Sequence, residues 1–445
     1  MNFGINRGVT TMELIEVITT KENLNRAYKK VVANKGASGV DGITVEELGA
    51  YIRENKDTIV NSLRNRTYMP KPVRRVYIPK SNGKKRPLGI PTALDRTIQQ
   101  AVAQPISDIY EEIFSEYSYG FRPNRSCHDA IKQALMYLND GYEWVIDIDI
   151  EQFFDKVNHD KLIQVLREQV NDSPTLNLIR KYLKAGVMED GLEKATKTGV
   201  PQGGPLSVIC SNVYLDRLDK ELEQRALRFV RYADDILIFT KSEMAANRVM
   251  KSIRDWLERK LFLKVNAAKT KVVRPTRSKY LGFTFLKHGG EWKIKPTTEK
   301  KKALKQKLSE YLKRNRAVAR PLAVTIKRVN EIVKGWINYF RIGMMKQFMG
   351  EFGAWLRHKI RVIVIKQWKK PKTIYRNLSY LNRKYGNGFE HEDIFKVANS
   401  RLGWYRRSGM NVVNFIISPE LLENKIKDGA GLLNPLNYYL RNVGI

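Results

Sequence analysis

The stretch Arg228-Phe-Val-Arg-Tyr-Ala-Asp-Asp-Ile-Leu-Ile-Phe-Thr240 sets two apolar, β-forming runs around the polar tetrapeptide Tyr232-Ala233-Asp234-Asp235. This pattern predicts a β-hairpin with Asp234 and Asp235 at or near its turn. Aspartate is frequent in turns because its short carboxylate bonds to nearby backbone, so this pair alone says little. A second acidic segment changes its weight. Residues 144–150 read Trp-Val-Ile-Asp-Ile-Asp-Ile. Period-two alternation puts Val145, Asp147 and Asp149 on one face of a strand and Ile146, Ile148 and Ile150 on the other.

If the two acidic elements pair in one sheet, three carboxylates come together. Such a cluster cannot stay fully ionised without cations. Mg²⁺ prefers carboxylate oxygens together with substrate phosphates, so a two-metal phosphoryl-transfer site is the economical reading. Asp147 and Asp149 lie about 6.6 Å apart along a strand rising about 3.3 Å per residue. Asp147 is therefore expected to support the site or the fold rather than to share one ion's shell with Asp149.

Outward from these strands, the first 290 residues alternate. Helical spacing runs through residues 21–34, 44–66, 95–114, 127–139 and 159–168. Strand-like runs cover 73–79, 229–232, 236–239 and 280–285. Helices and hairpins around a few carboxylates predict an α+β layer.

The charge balance names the class of partner. Of 445 residues, 80 are Lys or Arg and 46 are Asp or Glu, a formal net charge of +34. That excess repels itself unless a polyanion is near. More than half of it sits in residues 291–372, which hold 23 Lys or Arg against 5 Asp or Glu. There, Leu304, Leu308, Tyr311 and Leu312 form one apolar stripe, and Ile326, Val329, Val333, Trp336, Ile337 and Phe340 form another. Lys300, Lys301, Lys305, Lys307, Lys313 and Arg314 surround the first stripe, a basic face suited to phosphates. Two cysteines, Cys127 and Cys210, exclude a disulfide framework and a four-cysteine zinc site. No window approaches 18 consecutive apolar residues, so no membrane span is expected. A cytoplasmic protein is the expectation, since no signal-peptide pattern opens the chain.

The spacing resembles a known family. Asp149 followed five residues on by Phe154, with Tyr-Ala-Asp-Asp further along, is similar to the two metal-binding motifs of reverse transcriptases. More motifs follow in order. Lys80-Ser-Asn-Gly-Lys-Lys-Arg86-Pro-Leu-Gly-Ile-Pro91 resembles the fingers segment that grips the nucleotide, and Tyr119-Gly-Phe-Arg-Pro-Asn-Arg125 is typical of bacterial members. Gly199-Val-Pro-Gln202-Gly-Gly-Pro-Leu-Ser207 resembles the loop and helix beneath the nucleotide. Asn266-Ala-Ala-Lys269-Thr-Lys271 and Tyr280-Leu-Gly-Phe283 resemble later palm motifs. The early Asn34-Lys-Gly-Ala-Ser-Gly-Val-Asp41-Gly and the late Gly335-Trp336-Ile-Asn-Tyr-Phe340 resemble group II intron reverse transcriptases, or maturases, in the compact class without an H-N-H endonuclease.

That resemblance implies a right-hand polymerase. It divides into an N-terminal extension with fingers helices (1–70), a fingers and palm core (71–290), a basic helical thumb (291–372) and a small DNA-binding domain (373–445). It implies that Asp149, Asp234, Asp235 and the backbone of Ile150 hold two Mg²⁺ ions. It casts Lys80, Arg86 and Gln202 as nucleotide-binding residues and Phe154 as the steric gate against a ribose 2′-hydroxyl. Lys269 resembles the lysine that protonates leaving pyrophosphate. The implied partners are intron RNA, a DNA primer or target and dNTPs. A homodimer in the absence of RNA is compatible with so basic a chain. A relative turned to DNA repair or phage defence would keep the same polymerase motifs, and the sequence leaves that alternative open.

Overall fold

The computed structural model describes residues 13–79, 83, 85–189, 191–424 and 431–443. The chain divides between Ser278 and Lys279 into two compact units.

The first unit carries strands β1 (Val73–Pro79), β2 (Lys85–Ile90), β3 (Trp144–Ile148), β4 (Val187–Glu189), β5 (Leu192–Lys194), β6 (Arg228–Tyr232), β7 (Asp235–Thr240) and β8 (Lys271–Val273). They form two sheets, in the orders β2-β1-β4-β5 and β6-β7-β3-β8. The second sheet is antiparallel throughout. Its register pairs Ile146 with Ile238 and Ile148 with Ile236, while Asp147 faces Leu237. The isoleucine face, with Phe229, is buried against Val213 and Leu222 of the helix Pro205–Gln224 and against Ile253 and Leu257 of the helix Glu243–Lys260. Burying one such side chain is worth about 1.5–3 kcal/mol. A one-residue slip would turn Asp147 and Asp149 into this core, so the apolar alternation fixes which face carries the acids.

Local signals set the helices. Ser126 and Asp129 form a reciprocal capping box at the start of Cys127–Asn139. Pro205 begins the Pro205–Gln224 helix, where its missing N–H costs nothing. That helix is buried on nearly every side, and its polar residues Asn212 and Asp219 are inside with it.

Strand β3 stops two residues short of the expected end. The Asp149 amide donates to Thr270 Oγ1 (3.1 Å), and its carbonyl accepts from the Asn266 amide (2.8 Å). Ile150 makes only an isolated bridge with Val265. The acidic tip of the strand is thus bonded to the 266–270 turn instead of to the ladder.

The second unit opens with a meander of β9 (Lys279–Tyr280), β10 (Phe283–His288) and β11 (Glu291–Pro296). The run 280–285 is not one strand. Leu281 (φ +48°) and Gly282 (φ +85°) make a tight two-residue turn, and Tyr280 pairs with Phe283. Gly289 and Gly290, both at positive φ, are the turn joining β10 and β11. Long helices follow at Thr298–Tyr311, Leu322–Phe340, Lys346–Trp368 and Pro371–Tyr385. Phe340 packs 5.0 Å from Phe283 and 4.4 Å from Trp336, ring centre to ring centre, and the Tyr339 hydroxyl donates to the Leu281 carbonyl (2.9 Å). The Gly-Trp-Ile-Asn-Tyr-Phe segment therefore holds the meander to the helices. Among the described residues no helix is long and apolar enough to cross a membrane.

Candidate active site

Tyr232 pairs with Asp235, so the hairpin turn is Ala233-Asp234. Ala233 takes φ +58°, a left-handed conformation that disfavours any residue with a Cβ. The β3–β7 register pairs Ile148 with Ile236. Extended by one residue, it sets Asp149 level with Asp235. Alternation puts Asp147 on the same face.

The electrostatics agree with that grouping. Asp235 opens to solvent on one side, yet the protein packed round the rest of it raises its carboxyl to about 6. Repulsion from Asp234, Asp147 and Asp149 adds to the rise, and Lys269 opposes it. Asp147 is also raised, first by burial, and its cross-strand neighbour Lys271 holds it back at 3.7 Å. Among the described residues no three acidic, His or Cys side chains close into a ready-made cation cage. Instead the Lys269 ammonium donates to Asp149, 3.2 Å to Oδ1 and 2.9 Å to Oδ2. The donor set suits a hard divalent cation, since it is all carboxylate and crowded enough to hold one member above its ordinary pKa.

A second group of contacts builds a wall. Arg86, on β2, donates from Nε to Gln202 Oε1 at 3.0 Å, and the Gly89 amide donates to the Gln202 carbonyl at 2.8 Å. Gly203 stands at φ +127°, where a Cβ would meet the Gly89 carbonyl oxygen at 2.5 Å. The same loop reaches the segment after Asp149: the Val200 amide donates to the Phe154 carbonyl at 2.6 Å. His159, buried, bonds through its ring nitrogen to the Gly199 carbonyl at 2.7 Å. Phe153 is in the core, while Phe154 is half-buried and meets it edge-on at 5.3 Å.

The structure thus joins Arg86 to Gln202, Phe154 to the Gln202 loop, and Lys269 to Asp149. Lys80 lies outside the described residues. In the second unit, Lys300, Lys307, Lys313 and Arg314 are exposed. Lys301 and Lys305 are half-buried, with ammonium groups 5.0 and 5.8 Å from the Phe348 ring centre. Burial, and then the charge of Lys295, lowers the Lys301 pKa.

Sequence reasoning missed Arg231 and Asp219. Both side chains are fully buried, and the guanidinium forks onto the carboxylate, with Nε 2.8 Å from Oδ1. The one available signal was a lone arginine inside the apolar run before the Asp-Asp pair.

Comparison with known proteins fits this geometry. The model of the family described as "Reverse transcriptase (RNA-dependent DNA polymerase)" matches residues 78–285. That of "Group II intron, maturase-specific domain" matches residues 301–381. The chain belongs to the group II intron reverse transcriptase family. Protein YkfC of Escherichia coli is 34% identical over 338 residues, covering 65% of this chain and 88% of YkfC. The group II intron-encoded protein LtrA of Lactococcus lactis is 43% identical over 206 residues, 46% of this chain but only 34% of LtrA. Among solved structures, a Candida albicans telomerase aligns over 75% of this chain and 65% of that one. Its identity is 14% and its TM-score 0.42, a likeness too loose to add to the assignment. As a group II intron reverse transcriptase, the chain has a right-hand polymerase fold, with its palm sheet β6-β7-β3-β8 presenting the aspartates.

Proposed function

We propose that this chain copies RNA into DNA by extending a DNA primer with dNTPs, and that it binds the folded RNA of a group II intron. The observation that carries the first part is the carboxylate group of Asp149, Asp234 and Asp235, linked through Phe154 and the 199–204 loop to the Arg86–Gln202 wall. Asp149, Asp234 and Asp235, with the Ile150 backbone, would hold two Mg²⁺. Bound there, Mg²⁺ supplies positive charge that activates a primer 3′-hydroxyl and neutralises a triphosphate.

The chain's own residues do the rest. Arg86 presents a planar fork to phosphate oxygens, already aimed by Gln202. The family resemblance assigns Lys80 the same phosphate-binding role. Phe154 closes the space where a ribose 2′-hydroxyl would sit. Lys269, whose ammonium lies 2.9 Å from Asp149 Oδ2, would serve as the proton donor to a leaving pyrophosphate.

The RNA-binding part rests on the maturase-specific match over residues 301–381 and on the exposed cations Lys300, Lys307, Lys313 and Arg314. The chain covers most of YkfC but about a third of LtrA, so the intron partner is a reading for this chain to be tested on it.

The test is dNTP incorporation on an RNA template with a DNA primer. Asp234→Ala should abolish Mg²⁺-dependent synthesis and leave intron RNA affinity unchanged. Neutralising the exposed Lys300, Lys307 and Lys313 together should weaken RNA binding and flatten its salt dependence by about one unit of slope per lost phosphate contact. Robust synthesis by the Asp234→Ala protein would sink the polymerase assignment.

A further inference from the structure

The Ala233-Asp234 turn is gripped from two sides by groups the polymerase chemistry does not use. From beneath, Arg231 Nη1 donates to the Ala233 carbonyl at 3.0 Å and to Asn212 Oδ1 at 3.0 Å. The rest of the guanidinium is spent on Asp219, through Nε at 2.8 and 2.9 Å and through Nη2. From the flank, the backbone of residues 117–120 runs beside β6. The Arg231 amide donates to the Tyr117 carbonyl (2.9 Å), and the Tyr119 amide donates to the Arg231 carbonyl (2.8 Å). Gly120 then presses on the turn itself. A Cβ at that position would stand 2.3 Å from the Ala233 nitrogen. Asn212 closes the circuit by donating from Nδ2 to the Gly120 carbonyl at 2.8 Å.

An ion pair removed wholly from water is a poor device for stability, because desolvating both charges offsets most of their attraction. Two apolar side chains would fill the same space at least as well. What they could not do is satisfy the Ala233 carbonyl, which the left-handed turn points into the protein. Arginine can, because its fork has donors left after binding the carboxylate.

We propose that Arg231 is a positioning residue for polymerisation: locked by Asp219 and Asn212, it fixes the Ala233 carbonyl and so the direction in which Asp234 presents its carboxylate to a divalent cation. The inference rests on the reading that Asp234 binds metal.

The experiment replaces the pair with apolar residues, Arg231→Met with Asp219→Leu, in the full chain. Mn²⁺ binding is followed by electron paramagnetic resonance with no nucleic acid present. Thermal melting and steady-state synthesis are recorded alongside. The double variant should still fold and melt in one cooperative transition, bind Mn²⁺ about tenfold more weakly, and lose kcat while its KM for primer–template stays constant. Native Mn²⁺ affinity and native kcat in the folded double variant would overturn the proposal. If the double variant fails to fold, Arg231→Lys carries the same test. Its ammonium keeps the charge beside Asp219 but lacks the fork that reaches Ala233, and native Mn²⁺ affinity in that variant overturns the proposal equally. Asp234→Ala is the control. If it binds Mn²⁺ as the native protein does, the metal-site reading itself fails. If it loses Mn²⁺ and the Arg231 variants do not, only the positioning role fails.

Discussion

Lys269 donates to both carboxylate oxygens of Asp149, so the chain's own ammonium covers one of the acids expected to hold metal. The ammonium is two-thirds exposed, and the carboxylate is about one-third exposed. A pair so open to water is worth roughly 0.2–1 kcal/mol. Lys269→Gln should therefore tighten Mn²⁺ binding, by about fivefold at most. Weaker binding in this variant would mean that the lysine helps build the metal site instead of competing for it.

Asp235 gives a pH prediction. Its carboxyl is raised from 3.8 to about 6, first by burial and then by Asp234, Asp147 and Asp149. Below pH 3.8 the folded and unfolded chains both hold the proton, and nothing is lost. Between 3.8 and about 6 the folded chain holds more protons than the unfolded one, so stability falls as pH rises. Above about 6 the loss is complete. Asp235→Asn in EDTA should melt above the native protein at pH 7.5, with the difference closing toward pH 4. An equal difference at both pH values would place the effect elsewhere. Mn²⁺ affinity should weaken in the native protein as pH falls through about 6, since metal and proton compete for the same oxygens.

The Arg86–Gln202 wall depends on Gly203. Alanine there would force a Cβ to within 2.5 Å of the Gly89 carbonyl oxygen and would strain a φ of +127°. Gly203→Ala should raise the KM for dNTP about tenfold, roughly 1.4 kcal/mol, and leave primer–template affinity alone. Parallel losses in both would show that the loop supports the whole unit.

Phe154 is half-buried beside the fully packed Phe153. Phe154→Ala should admit ribonucleotides, raising the ratio of ribonucleotide to deoxyribonucleotide kcat/KM by about tenfold or more, and Phe153→Ala should not. The second substitution should instead lower stability by about 3–5 kcal/mol.

In the second unit, Phe340 is 4% exposed and wedged against Phe283 and Trp336. Phe340→Ala should destabilise that unit by about 3–5 kcal/mol, read by urea denaturation. A cost under 1 kcal/mol would mean the meander holds to the helices without it.

Legibility in the sequence followed the length scale of the cause. The Asp-Asp hairpin was readable because Val, Ile and Phe flank it on both sides and the signal is local. The β9–β10 turn was missed although Gly282 marks it, because its other left-handed residue, Leu281, is apolar and reads as a continuation of the strand. The end of β3 was hidden because Thr270 and Asn266, more than a hundred residues on, take the Asp149 backbone. The Arg231–Asp219 pair was hidden for the same reason. A charged residue in an apolar strand reads as an exposed one until the helix that buries it is known.

The strand order β6-β7-β3-β8 also bears on synthesis. Strand β3 sits in the interior of its sheet, yet both neighbours follow it in the chain, β7 ending at Thr240 and β8 at Val273. At about 5–20 residues per second, a translating ribosome leaves this apolar segment without strand partners for several seconds or more. Non-local pairing of this kind folds slowly and offers a bare edge to other chains in the meantime. Yield in a foreign host should respond to slower elongation, lower temperature and holdase chaperones more than to added denaturant-resistant mutations in the finished fold.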